Sequence, residues 1–190
     1  MAKKVSFWGM PAIALVFGMI VFAAPLVSAA PKSYVEIEPL MPDAQSAVVY
    51  FLGAKGCGNV WDGETPIGTF DQKKGRTIIA YKTTPGEHYF MANATNWAIL
   101  RANLEPNKRY LVAVSIVPGP FSRIAIIRPQ EPADGAAIDN VVKAYKKPIS
   151  FDDTWRTSFA QGKRLQEAQR QLESAKGKSM DVNLRGEHGR

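Results

Sequence analysis

Ala47-Val48-Val49-Tyr50-Phe51-Leu52 is the stretch whose reading decides the fold. It is continuous in apolar character, as expected for a central strand covered on both faces. Downstream, short runs rich in Val, Ile, Tyr and Phe continue to Arg128, separated by turn residues about every ten positions. Asn59-Val60-Trp61 and Pro66-Ile67-Gly68-Thr69-Phe70 flank Asp62-Gly63-Glu64-Thr65, a hairpin signal in which Gly63 supplies a positive φ. Thr77 to Lys82 and Glu87 to Ala92 are joined by Thr84-Pro85-Gly86, where proline presets one turn angle and glycine allows the next. Ala98 to Leu104 and Arg109 to Val117 are joined across Glu105-Pro106-Asn107-Lys108. In the first of that pair, Ala98, Leu100, Ala102 and Leu104 share one face and Arg101 and Asn103 the other, so one side meets the core. Pro118-Gly119-Pro120 then breaks the sheet before a last run, Ser122 to Arg128. The expectation is a mainly β fold: an antiparallel β-sandwich of roughly seven strands, with a C-terminal helical extension.

The order of these turns carries a resemblance. Trp61-Asp62-Gly63-Glu64-Thr65-Pro66-Ile67-Gly68, Thr84-Pro85-Gly86-Glu87-His88 and Leu104-Glu105-Pro106-Asn107-Lys108-Arg109-Tyr110 follow the first run. In that order they resemble a bacterial family catalogued as domain of unknown function 2846, and the wider group of carboxypeptidase-regulatory-like and PEGA-like envelope sandwiches. The likeness spans Ser46 to Arg128, and its motifs are turn chemistry, not reactive groups. It implies a secreted or envelope sandwich and no particular activity. Asn107 stands where those domains usually have glycine, and asparagine also tolerates the left-handed region. The lipid-bearing cysteine of the anchored members is missing, since the single cysteine, Cys57, lies far beyond the apolar start.

That start reads as a targeting segment. Lys3 and Lys4 precede an uncharged apolar stretch from Phe7 to Phe22, and Pro25 precedes the small-residue exit Val27-Ser28-Ala29-Ala30. This is the layout of a cleavable secretory signal peptide, with an uncleaved anchor as the alternative. Export to the periplasm or cell envelope follows. Removing the two lysines takes the net charge from +7 to +5, a modest excess that permits loose attraction to anionic surfaces without selecting one. One cysteine allows no intrachain disulfide and no cysteine metal cluster; Gly56 and Gly58 beside it suggest a loop, with burial or exposure of the thiol both open. The divisions are a signal peptide over 1–29, a linker over 30–45, the sandwich over 46–130, a short helix and linker over 131–148, an amphipathic helix over 149–177, and a polar, disordered tail over 178–190.

Reactive chemistry is thinly represented. His88 beside a turn and His188 in the tail have no ligand partners at metal spacing, so no metal and no cofactor is expected. No Gly-x-Ser-x-Gly elbow is present, and the chain reads as non-enzymatic, with a hydrolase assembled from distant loops as the remote alternative. Asp152 and Asp153 follow Ser150, which with Asp153 fits a capping box at a helix start. Gly53-Ala54-Lys55-Gly56-Cys57-Gly58 is neither a Walker loop nor a dinucleotide fingerprint, because no helix follows. Asn93-Ala94-Thr95 matches a glycosylation acceptor usable only by eukaryotic machinery.

Aromatic residues offer the binding feature. Trp61 and Trp97 sit at strand ends beside polar turns, where they either stack on sugar rings or a partner's apolar surface, or fold back to seal the core. In the C-terminal third, Ile138, Val141, Val142 and Tyr145 form a short helical stripe behind Asp134. A second helix runs from Phe151 to Lys176: Trp155 pairs with Phe159, then Leu165, Ala168, Leu172 and Ala175 follow a 3,4 spacing, with Gly162 weakening its centre. This helix docks on its own domain, self-associates or recruits a protein partner, or lies on a membrane surface. The reading is a non-catalytic envelope scaffold or protein-interaction module, with glycan or cell-wall binding through the tryptophans as the alternative. Scattered basic residues make no nucleic-acid module.

Overall fold

The structure, a computed structural model, describes residues 34–72, 75–119, 123–130, 135–145, 147–176 and 183–184. The signal segment, the Asp134 cap, Ser122, His188 and most of the tail lie outside them. Eight strands match the eight apolar runs: β2 (Ala47–Ala54), β3 (Asn59–Asp62), β4 (Thr65–Thr69), β5 (Arg76–Thr83), β6 (Gly86–Asn93), β7 (Trp97–Leu104), β8 (Arg109–Pro118) and β9 (Arg123–Gln130). Short pieces are added by β1 (Val35–Glu36), β10 (Ile149–Ser150) and β11 (Asn183–Leu184), and three helices follow or separate them: α1 (Gly135–Ala144), α2 (Asp153–Phe159) and α3 (Gly162–Lys176). They form a β-sandwich of two sheets, ordered β1-β10-β5-β2-β8-β9 and β11-β7-β6-β3-β4.

Strand β2 lies inside its sheet and is covered on both faces, which explains its unbroken apolar character. Val49 and Phe51 point into the core between the sheets, whereas Val48, Tyr50 and Leu52 belong to a second core on the outer face. There α1 lays Ile138 and Val142 over Ile78, Ala80 and Leu111. The pairing of β2 with β8 is parallel, while β2–β5, β6–β7 and β8–β9 are antiparallel. The Thr84-Pro85-Gly86 and Glu105 to Lys108 turns each carry the chain from one sheet to the other, because β5 and β8 lie in one sheet and β6 and β7 in the other. Asn107 adopts φ 58°, and its N–H lies within hydrogen-bonding reach of the Asp43 and Ser46 carbonyls, so asparagine performs the turn that glycine would.

Three expectations need correction. Residues 30–45 are not a free linker: β1 pairs with β10, Ile37 and Leu40 pack on the outer core, and the Tyr50 hydroxyl donates to the Leu40 carbonyl at 2.8 Å. The segment 149–177 is not one helix. It opens as strand β10, parallel to β5, and its helical part breaks between α2 and α3, where Gly162 takes φ +55°. A residue with positive φ cannot continue a right-handed helix, so Gly162 stops α2 from running on instead of merely loosening it. Finally, the α2 cap is Asp152, whose carboxylate accepts from the Trp155 N–H at 2.7 Å; Ser150 belongs to β10 and caps nothing.

The two C-terminal helices cover the outer face of the second sheet. Ala168, Leu172 and Ala175 of α3 are buried, with Ala168 and Leu172 packing on Trp61 and Met91. The apolar stripe that suggested self-association or a partner is therefore consumed within the chain. No helix among the described residues is long and apolar enough to cross a membrane.

Candidate functional site

One end of the sandwich gathers the connections β2–β3, β6–β7 and β8–β9 and the start of α3. Their backbone is held closely. Gly58 takes φ +76°, and a Cβ there would stand 1.8 Å from the Asn93 carbonyl oxygen, so only glycine lets the β2–β3 loop approach β6 this way. The Asn96 side chain binds the Ala125 backbone on both sides, accepting from its N–H at 2.5 Å and donating to its carbonyl at 3.3 Å, which ties the β6–β7 turn to β9 across the two sheets. Cys57 is buried in this loop, and the Ala54 N–H lies 3.4 Å from its sulfur. Burial excludes the exposed-thiol alternative.

All four aromatic residues singled out in the sequence meet in one row. Trp97 and Trp61 have ring centroids 6.1 Å apart, Trp61 and Phe159 5.7 Å, and Phe159 and Trp155 4.6 Å, nearly parallel. Phe151 continues the row 4.3 Å beyond Trp155. The row works chiefly as cement: Trp61 is 1% exposed and cannot serve as a surface platform, which corrects its reading as an exposed stacking residue. Its burial contributes about 2–3 kcal/mol. Gly68 makes room at the far end, since a Cβ would sit 2.6 Å from the Phe151 ring.

Trp97 differs, being only partly buried, and with Trp61 it lines a cleft of about 320 Å³ between β3, β6 and α3. The side chains of Asn59 and Asn93 offer amide groups there, and α3 contributes Lys163, Arg164 and Glu167. The indole N–H of Trp61 is buried with no acceptor. Leaving such a donor unsatisfied costs about 1–3 kcal/mol. Lys163 and Arg164 stand in the first turn of α3, which has no acidic residue; cations at that end oppose the helix dipole, by about 0.3–1 kcal/mol each. Arg164 rests its guanidinium 4.6 Å from the Phe159 ring centroid, and neither cation has an ion-pair partner among the described residues. Glu167 is engaged by Arg170 at 2.5 Å and Gln171 at 2.8 Å.

A second polar cluster lies further along β3 and β6. His88 Nδ1 is 2.7 Å from the Asp62 carboxylate, Nε2 is 2.9 Å from the Thr84 carbonyl, and the Tyr81 hydroxyl donates to Asp62 at 3.2 Å. Both neighbours of His88 are acceptors, so the ring satisfies them best as the doubly protonated cation. Burial opposes that charge, but the Asp62 carboxylate and the Thr84 carbonyl outweigh it and the pKa is raised. Burial, followed by the charge of Asp62, pushes the Tyr81 hydroxyl up to about 12. With both ring nitrogens committed, His88 has none left to accept a substrate proton. Sequence reasoning had no route to this pairing, because the partners lie 26 residues apart and Asp62 reads as a turn residue.

No family model, curated protein or solved structure matches the chain.

Proposed function

We propose that the chain is an exported, non-catalytic binding module of the cell envelope, and that the Trp61–Trp97 cleft holds a saccharide. The observation that carries this reading is the cleft itself: a partly exposed indole, two asparagines and the cations at the start of α3 border one hollow. A sugar ring presents an apolar face for stacking and hydroxyls that both donate and accept, which is the complement of that lining. Export is supported by the basic and apolar start with its small-residue exit. Recruitment of a protein through the C-terminal helix is the weaker reading, because Ala168, Leu172 and Ala175 already pack inside the domain.

Calorimetry on the chain lacking residues 1–29, against chitotetraose and oligogalacturonate, tests it. Binding of at least one sugar, weakened about tenfold or more by Trp97→Ala, is the expected result. Absence of binding to both, or equal affinity in the variant, contradicts it.

A further inference from the structure

The cleft does not end at Asn59 and Asn93. Both residues also line a second hollow of about 320 Å³, and through Gly56 and Arg123 that one adjoins a third of about 510 Å³. The three share lining residues in sequence, so they form one groove across the end of the sandwich, from the start of α3 to the β8–β9 connection. A single sugar would fill only part of it.

The charge along this groove is one-sided. Lys163 and Arg164 stand at one end, Arg123 borders the second and third hollows, and Lys55 lines the third. None of the four has an ion-pair partner among the described residues, whereas elsewhere on the surface Lys82 pairs with Asp43 and Lys147 with Glu38. Among the described residues the groove holds only two acids against these four cations: Glu167, which is paired with Arg170, and Asp71, which accepts from the Gly56 N–H at 3.0 Å and keeps its charge. Four unmatched cations in a concave, partly apolar trough focus a positive field there. The net charge of the whole chain does not account for this arrangement, since the excess is modest.

We infer that the groove takes an extended anionic glycan, a chain of sugars bearing carboxylates or phosphates, with one ring against Trp97 and successive anions on Arg164 and Lys163, Arg123 and Lys55. The inference rests on the saccharide reading above and adds the charge and the length of the ligand. Arginine suits the task, because its planar fork meets a carboxylate or phosphate through two parallel hydrogen bonds.

The test compares oligogalacturonates of increasing length with the same oligomers methyl-esterified, so that the backbone is constant and only the charge is removed. A phosphomannan against unphosphorylated mannan separates phosphate from carboxylate as the anion. The expected result is that at least one anionic form binds about tenfold or more tightly than its neutral counterpart, gains affinity with length and weakens with salt. The double variant Lys55→Gln, Arg123→Gln, which leaves the Trp61–Trp97 cleft untouched, should lose most of that advantage while keeping the wild-type thermal midpoint and weak binding of the neutral oligomers. Equal affinity for charged and neutral forms overturns the inference and leaves the saccharide reading standing, whereas no binding of any sugar defeats both. A single-stranded oligonucleotide of equal charge that binds more tightly than every glycan also overturns it.

Discussion

Asp62 and His88 face each other across β3 and β6 at 2.7 Å, with both side chains about nine-tenths shielded from water. Neither is an isolated polar group in the core: Tyr81 completes the Asp62 shell and the Thr84 carbonyl completes that of His88. Arg156 of α2 lies over the Tyr81 ring, 5.8 Å from its centroid, so the cluster also links the sandwich to its helical cover.

This cluster makes stability depend on pH. His88 has a folded pKa above its ordinary 6.5, so its contribution is fully present below that value and is lost as pH rises through the raised one. Thermal midpoints of the wild type should therefore fall between about pH 6 and pH 9, more steeply than those of His88→Gln. At low pH the substitution should cost about 2–3 kcal/mol, since it leaves Asp62 buried without its cation. Parallel pH profiles for the two proteins would contradict the assignment.

Gly58→Ala should destabilise the chain by more than about 2 kcal/mol, because the strained φ and the Asn93 carbonyl act together. Urea denaturation measures it. Gly75→Ala is the contrast: its Cβ meets nothing within 4 Å, so only the φ of +85° penalises it, by about 1 kcal/mol. Equal losses at the two sites would show that the close approach at Gly58 is absent.

Leu172→Ala removes the side chain that α3 seats against Trp61 and Met91. The expected loss is about 2–4 kcal/mol, with a change in the near-ultraviolet signal of the tryptophans. An unchanged midpoint would mean that α3 does not rest on this sheet.

Tyr50→Phe deletes the hydrogen bond to the Leu40 carbonyl while keeping the ring. A loss of about 1 kcal/mol is expected, with faster proteolysis near residues 38–42 than in the wild type. Unchanged cleavage there would argue that β1 alone holds the strap.

The strands were legible because each apolar run is short and closed by a turn with a mechanical reason, as at Gly63 and Asn107, whose positive φ values match what their types allow. The both-face burial of β2 was legible for the same reason, as six consecutive apolar residues leave no solvent face. What the residues could not announce was partnership at a distance. Val35 and Glu36 pair with Ser150 and Ile149, which adjoin the helices, so a proline-bearing lead becomes a strand only when the far end of the domain is in place. At Gly162 the missing information was the sign of φ, which separates one bent helix from two. The site was half visible: Trp61, Trp97, Trp155 and Phe159 were recognisable by type, but their order in one row depends on α2 crossing β3. The basic groove was invisible, because Lys55, Arg123 and Lys163 are far apart along the chain and unremarkable one by one.

The central claim is that a saccharide enters the cleft lined by Trp61 and Trp97 and stacks on the exposed part of the Trp97 indole. Indole N–H resonances of the chain lacking residues 1–29, recorded with and without saturating oligogalacturonate, address it directly. The account predicts that the Trp97 signal moves, while Trp155 stays in place. All indole signals unmoved at a concentration where calorimetry reports saturation would contradict it.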